Sequence, residues 1–249
     1  MIDFIVSPVS FPTASLLGGF LESNLMGKGI VCIQLGCSII AAALIIGKAK
    51  ELTGIARNSH RFIREFLLGR DVLDCYLKSQ RSAKSSLGLI YEKTCERMVK
   101  LLDSEARRSL ISRQTTASES AALSSREIEL IRSTCEHTLH EQEIRVEHGM
   151  GLLATIVTAS PMLGLLGTVW GVMDAFSTMG DKGTVLLSEI APAISSALLT
   201  TVVGLLVAIP CAIAYNNLAG KVRRLTNDME GFADELMGRI ACEFQGRDI

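Results

Sequence analysis

Charged side chains are scarce in this chain, aromatic side chains are scarcer, and neither sign of charge is in excess. Of the 249 residues, 20% are charged and 5% are aromatic, and the formal net charge is −1. There is no excess of Lys and Arg to neutralise a phosphate backbone, and the aromatic side chains are too few to form a platform on which bases could stack. The composition therefore excludes nucleic acid as an expected partner.

The motifs of metal sites, disulfide frameworks and enzyme nucleophiles are also missing. The seven cysteines are an odd number and include no Cys-x-x-Cys pair, which argues against both a disulfide framework and a zinc site. The sequence contains no phosphate-binding loop and no Gly-x-Ser-x-Gly elbow. We therefore expect no cofactor, no metal and no enzyme activity.

Three stretches have no charged side chain over a length that can cross a bilayer, which takes about 20 helical residues. They cover residues 29–47, 149–173 and 190–220. At a helical rise of 1.5 Å per residue, the second and third measure about 37 and 46 Å, more than the roughly 30 Å of a hydrocarbon core. We assign transmembrane helices to residues 29–47, 149–175 and 190–220, and expect the last two to project beyond the membrane.

The basic residues indicate how these helices are oriented, because Lys and Arg remain preferentially on the cytoplasmic side. Residues 48–148 hold 18 of the 25 basic residues, and residues 221–249 hold five more. We therefore predict a cytoplasmic insert at 48–148 and a cytoplasmic C-terminus. The same rule places the N-terminal segment 1–28, with a short amphipathic helix, and a hairpin at 176–189 on the external side.

The insert and the C-terminal tail read as helices, because their apolar residues recur at every third or fourth position. The spacing Ser124-x-x-Glu127 is typical of a capping box at a helix start. No proline follows it before the second span, so we predict one helix from about Ser125 through the membrane. Residues 221–249 continue the third span as an amphipathic helix. The fold class is thus an all-α integral membrane protein with three transmembrane helices, the second and third extended into a helical cytoplasmic domain.

The two long spans each carry a narrow face of small residues with a threonine near its middle. Small residues let membrane helices approach closely, and a projection at 100° per residue centres the two faces on Thr168 and Thr201. On the face around Thr168 the small residues include Gly164 and Gly171, and on the face around Thr201 they include Ala197, Gly204 and Ala208. The faces either pack helices together or line a polar path. Residues 149–173 and 190–220 contain no Asp, Glu, Lys, Arg or His, so a proton path through them would need a carboxylate from another polypeptide.

Residues 152–176, LLATIVTASPMLGLLGTVWGVMDAF, and 191–216, APAISSALLTTVVGLLVAIPCAIAYN, resemble the paired helices of the TolQ/ExbB/MotA proton-channel family, closest to its TolQ and ExbB branch. The resemblance implies a homopentamer in the bacterial inner membrane, with the N-terminus and hairpin in the periplasm. It also implies a central pore that holds a TolR- or ExbD-like single-span partner, whose Asp carries protons, and delivery of force to a TolA- or TonB-like protein. By the same resemblance, Thr168 and Thr201 are the pore hydroxyls.

One position departs from the family pattern. Where TolQ and ExbB proteins usually read APGIAEAL, this chain reads APAISSAL, and Ser196 stands in place of the family Glu. The substitution removes a carboxylate near the external end, where Asp174 and Glu189 are candidates to replace it electrostatically. Two other functions stay open: a helical membrane scaffold that does not conduct, and a MotA-like flagellar stator subunit. The three spans argue against the stator subunit, because MotA chains usually have four.

Overall fold

The computed structural model describes residue 20 and residues 24–69, 72, 85–102, 123–182 and 187–244. These residues are helical almost throughout, and no strand is found among them. The helices are α1 (Leu25–Leu68), α2 (Ser86–Leu101), α3 (Ser125–Glu147), α4 (Met150–Lys182) and α5 (Leu187–Phe244). Segments in α1, α4 and α5 are long and apolar enough to cross a membrane. The fold class is the predicted one, all-α with three helices of membrane-spanning character.

Helix α3 begins at the predicted capping box. The Ser124 side chain accepts a hydrogen bond from the Glu127 backbone, and the Glu127 carboxylate accepts one from the Ser124 backbone. This reciprocal pair satisfies amides that a helix start otherwise leaves unbonded. The Ser124 backbone N–H and the Ser124 hydroxyl both donate to the Glu127 carboxylate; because these bonds favour the ionised form, they lower the pKa of Glu127 below its ordinary value near 4.5.

The expectation of one helix from Ser125 through the second span was wrong. Helix α3 ends at Glu147 with His148 as its C-cap, and Gly149 has a φ of 85°. A residue with positive φ after the C-cap ends a helix, and glycine adopts this conformation without strain. Helix α4 then starts afresh at Met150.

The other helices extend farther than the sequence pattern indicates. Helix α4 continues to Lys182 and α5 begins at Leu187, so much of the segment expected as a hairpin is helical. Helix α5 runs for 58 residues through Pro192 and Pro210, which includes the amphipathic tail as a continuation of the third span. The short helix expected within residues 1–28 lies almost wholly outside the described residues.

The chain divides into two compact units, with boundaries that fall inside α1 and α5. The first, here called the apolar unit, comprises residues 1–46 and 150–216, and the second, the polar unit, comprises 47–149 and 217–249. The apolar unit leaves large side chains uncovered; Ile39 is 72% exposed and Leu206 is 62% exposed. Such a surface suits lipid or other membrane helices.

The polar unit has a conventional helical core. Its centre is an aromatic cluster of Phe62, Phe66, Tyr91 and Phe232, whose ring centroids lie 5.1 to 5.8 Å apart. The Arg239 guanidinium covers the Phe66 ring at 4.6 Å. The apolar stripe of the tail is buried against this core, and its members are Val222, Leu225, Met229, Phe232, Leu236 and Ile240.

Candidate functional site

Helices α4 and α5 run antiparallel and approach each other so closely that only glycine fits at several positions. A Cβ built on Gly164 would lie 2.8 Å from the Thr201 Cα, and one built on Gly171 would lie 2.5 Å from the Ala197 Cβ. On α5, a Cβ built on Gly204 would lie 2.6 Å from the Ser160 carbonyl oxygen. The small residues singled out from the sequence therefore mediate packing within one chain, as small residues do in membrane helix pairs.

Thr200 occupies the centre of this contact. Its side chain is 1% exposed, and its hydroxyl donates to the Gly164 carbonyl across the contact at 3.0 Å and to the Ala197 carbonyl at 2.7 Å. The absence of a side chain at Gly167 makes room for it, since a Cβ there would lie 2.3 Å from the Thr200 hydroxyl oxygen. The projection centred on Thr201 missed this residue by one position, or about 100°.

Gln34 connects α1 to both of the other helices. Its side chain is fully buried, and its Nε2 donates to the carbonyls of Ser160 and Thr200, each at 3.3 Å. The sequence signal was available, because Gln34 is the single amide side chain in the charge-free stretch 29–47. A polar group inside a membrane span is costly unless it is paired, and the two bonds from Nε2 tie three helices together, while Gln34 Oε1 is buried without a hydrogen-bond partner among the described residues.

Thr168 and Thr201 lie at the edge of the contact, and both side chains are partly exposed. Each follows a residue that lines a small cavity, since Gly167 and Thr200 are both among its lining residues, together with Asn24 and Gly27. Successive residues of a helix are rotated by about 100° around its axis. In an antiparallel pair of helices, a step of one residue in each helix moves both side chains toward the same side of the pair. From this rotation we infer that the two threonines lie on one side of the α4–α5 pair.

The hydroxyls of these two threonines differ in their bonding. Thr168 donates to the carbonyl of Leu165 in its own helix at 2.8 Å. The Thr201 hydroxyl oxygen is buried and has no hydrogen-bond partner among the residues that the structure describes. A hydroxyl can both donate and accept, so the described residues leave the hydrogen-bonding capacity of the Thr201 hydroxyl unused.

Ser196 lies inside the subunit, near the junction of the three helices. It is 4% exposed, its hydroxyl donates to the Ala193 carbonyl at 2.9 Å, and it lines the same small cavity as Asn24. The cavity volume is about 10 Å³, close to the minimum for a single water. At the same end of the unit, the Asn24 side-chain amide donates to the Asp174 carboxylate, so an acidic group does stand near Ser196. The side chain of Glu189 is outside the described residues.

The remaining residues expected around the threonines are placed as follows. Ala197 and Ala208 are buried, at 4% and 5% exposure, and Gly164 and Gly204 lie against each other, with the Gly164 Cα 3.4 Å from where a Cβ of residue 204 would be. No charged side chain occurs in residues 149–173 or 190–220. The arrangement offers hydroxyls on a helix pair without charges and provides no titrating group of its own.

Comparison with known proteins agrees with these observations. The chain matches the MotA/TolQ/ExbB proton channel family over residues 95–231. It is 30% identical to the Tol-Pal system protein TolQ of Haemophilus influenzae over 221 residues, which cover 87% of this chain and 89% of the relative. It is 46% identical to the biopolymer transport protein ExbB of Salmonella typhimurium over 104 residues, 41% of this chain and 39% of the relative.

A third relative, the biopolymer transport protein ExbB of Neisseria gonorrhoeae, is 40% identical over 96 residues, 39% of this chain and 44% of the relative. Matches to the ExbB proteins thus span less than half of each relative, whereas the match to TolQ of Haemophilus influenzae is nearly complete. The chain belongs to the MotA/TolQ/ExbB proton channel family, in its TolQ and ExbB branch.

Proposed function

We propose that this chain is the proton-channel subunit of a TolQ- or ExbB-type motor in the bacterial inner membrane. The observation that supports the proposal is the close contact between α4 and α5, which has Thr168 and Thr201 at its edge with both side chains partly exposed. Their hydroxyls line a path free of charged side chains, and the Thr201 hydroxyl retains unused bonding capacity. These two side chains form the pore wall.

The group that takes up and releases protons comes from a partner. Ionisable residues inside a membrane mark proton relays, and residues 149–173 and 190–220 contain no Asp, Glu, Lys, Arg or His. A TolR- or ExbD-like single-span subunit supplies the Asp, and five copies of this chain surround it. Proton flow down its gradient drives movement of one component against the other, and the force reaches a TolA- or TonB-like protein.

The orientation follows from the distribution of basic residues. The N-terminus and the segment between α4 and α5 face the periplasm, and the polar unit with the C-terminus faces the cytoplasm, because the Lys and Arg residues concentrate there. The exposed apolar side chains of α1, α4 and α5 contact lipid and neighbouring copies of the chain. The output is maintenance of the outer membrane in a TolQ-type system and import across it in an ExbB-type system.

The test replaces each threonine by valine, which keeps the shape and removes the hydroxyl. In proteoliposomes that hold this chain with its single-span partner, Thr168→Val and Thr201→Val should lower proton flux about tenfold, the effect of some 1.4 kcal/mol on the barrier. Thr155→Val is the matched control. Thr155 lies exposed on α4, the helix of Thr168, and its hydroxyl donates to the Gly151 carbonyl of the same helix at 2.9 Å.

The competing function of a scaffold that does not conduct predicts a different result. If the protein is a scaffold, all three valine variants leave energy transduction unchanged. Assembly is followed by size-exclusion chromatography, and it should persist in every variant. Flux in Thr168→Val and Thr201→Val equal to that of Thr155→Val, with assembly intact, would overturn the proposed pore wall.

A further inference from the structure

The Gln34 side chain donates hydrogen bonds to two backbone carbonyls that already accept hydrogen bonds within their own helices. The carbonyls of Ser160 and Thr200 lie within helices. Each therefore also accepts the usual helical hydrogen bond from the backbone N–H of the residue four positions later. The bonds from the Gln34 amide are therefore additional bonds between helices and are not needed to complete either helix. What they add is a particular rotation and height of α1, α4 and α5 relative to one another.

Gly204 creates the space that the Gln34 amide occupies. A Cβ at position 204 would lie 2.8 Å from Gln34 Nε2 and 2.6 Å from the Ser160 carbonyl oxygen, and real Cβ atoms essentially never make contacts this short. A larger residue at 204 would displace the amide. The pairing of a buried amide with a missing side chain is thus specific in shape as well as in hydrogen bonding.

The hydrogen bonds of Gln34 are linked through Thr200 to the position of Thr201. The Thr200 carbonyl accepts from Gln34, and the Thr200 hydroxyl donates to the Gly164 carbonyl. These two bonds hold one residue of α5 against both neighbouring helices. Thr201 is the next residue, so a rotation of α5 by a fraction of 100° would carry its hydroxyl either into the α4 contact or away from Thr168.

We propose that Gln34 is a positioning residue, which acts through Thr200 to fix the rotation of α5 against α4 and so keeps Thr168 and Thr201 on one side. Its consequence for proton flux rests on the proposed function. The geometric claim is tested separately, by a measurement that does not depend on conduction.

The geometric test measures the rate at which a short bifunctional thiol reagent links Thr168→Cys to Thr201→Cys in the full-length chain in membranes. The linked peptides are quantified by mass spectrometry, so the native cysteines stay in place. Gln34→Leu replaces the amide by an apolar side chain of similar size and should lower the linking rate by up to roughly eightfold, the equivalent of two membrane hydrogen bonds of average strength. Ser38→Leu, which removes a polar side chain from the next turn of α1, should leave the rate unchanged.

A second variant, Gln34→Glu, separates positioning from simple loss of stability. The protonated carboxyl carries one O–H donor in place of the amide, and the ionised form carries none. The spans hold no charged side chain within 29–47, 149–173 or 190–220, and the nearest along α1 and α4 are Lys28 and Asp174. The linking rate is divided by that of the parent at the same pH, because thiols themselves react faster as pH rises; this ratio should be close to one at acidic pH and fall as the pH rises through the pKa of the introduced carboxyl.

The outcomes separate this inference from the proposed function. Linking in Gln34→Leu equal to that in Ser38→Leu, or linking in Gln34→Glu that does not change with pH, would overturn the positioning role whatever the valine variants show. Should Gln34→Leu fail to fold, the pH response of Gln34→Glu decides alone. Normal flux in Thr168→Val and Thr201→Val would overturn the pore wall and leave a positive linking result standing.

Discussion

Replacing Gly164 by alanine inserts a methyl group into the narrowest part of the α4–α5 contact. The new Cβ would lie 2.8 Å from the Thr201 Cα and 3.0 Å from the Thr200 carbonyl oxygen, against a comfortable separation of about 3.5–4.0 Å. Both neighbours are backbone atoms, so no side-chain rotation relieves the clash and the helices must separate. The separation also weakens the hydrogen bond from the Thr200 hydroxyl to Gly164.

The magnitude follows from opposing terms. Inserting a methyl group into a well-packed contact costs about 1–3 kcal/mol, and loss of one membrane hydrogen bond adds about 0.6 kcal/mol. Alanine regains up to about 1 kcal/mol through its better helix propensity. We expect a net loss of about 1–2 kcal/mol, which lowers the melting temperature by about 2–8 °C in a chain of this size.

The measurement is thermal unfolding of the purified protein in detergent, followed by circular dichroism. The matched control is Gly36→Ala in α1, because a Cβ at Gly36 meets no atom within 4 Å; it should leave the melting temperature unchanged or raise it slightly. A Gly164→Ala protein that melts no lower than Gly36→Ala would refute the close contact between the helices.

The remaining predictions concern the polar unit. Ser124→Ala removes the cap of α3 and should cost about 1 kcal/mol, whereas Ser124→Asp should retain most of it; equal melting of both would contradict the cap. Because the pKa of Glu127 is lowered in the folded state, the stability from this box is present above pH 4.5 and is lost as acid protonates the carboxylate; Ser124→Ala should show a weaker acid dependence in melting curves. Phe66→Ala empties the aromatic cluster and the Arg239 contact and should cost about 3–5 kcal/mol in chemical unfolding; a loss under 1 kcal/mol would show that the cluster does not form.

The three spans and the α3 cap were predictable because their signals are local. A bilayer requires an unbroken run of about 20 residues without charge, and this chain has three such runs. The capping box needs only Ser124 and Glu127 at a fixed spacing. In each case the sequence pattern and the physical requirement involve the same few neighbouring residues.

The break at Gly149 was missed although its residue type was visible. Glycine after a helix is a stop signal through positive φ, but at the start of an apolar run it also reads as a small residue of a membrane helix. The sequence pattern does not distinguish these roles without the backbone angle. The structure resolves the choice, with a φ of 85°.

Gln34 and Thr200 were missed because their significance comes from contacts between distant residues. Gln34 bonds residues 126 and 166 positions away, and periodicity within one helix carries no information about such partners. Thr200 differs from the projected centre by a single position, and a projection cannot decide between adjacent threonines until the partner helix is in place. Gly164 and Gly204 were identified from the sequence because a small-residue face is a property of one helix alone.

The most direct test of the central claim measures proton flux into proteoliposomes under an imposed pH gradient. Vesicles with this chain alone should show no flux above that of empty vesicles, because residues 149–173 and 190–220 contain no Asp, Glu, Lys, Arg or His. Vesicles that also hold a single-span partner with an intramembrane Asp should conduct, and an Asp→Asn change in that partner should abolish the flux. Robust flux through this chain alone would contradict the account.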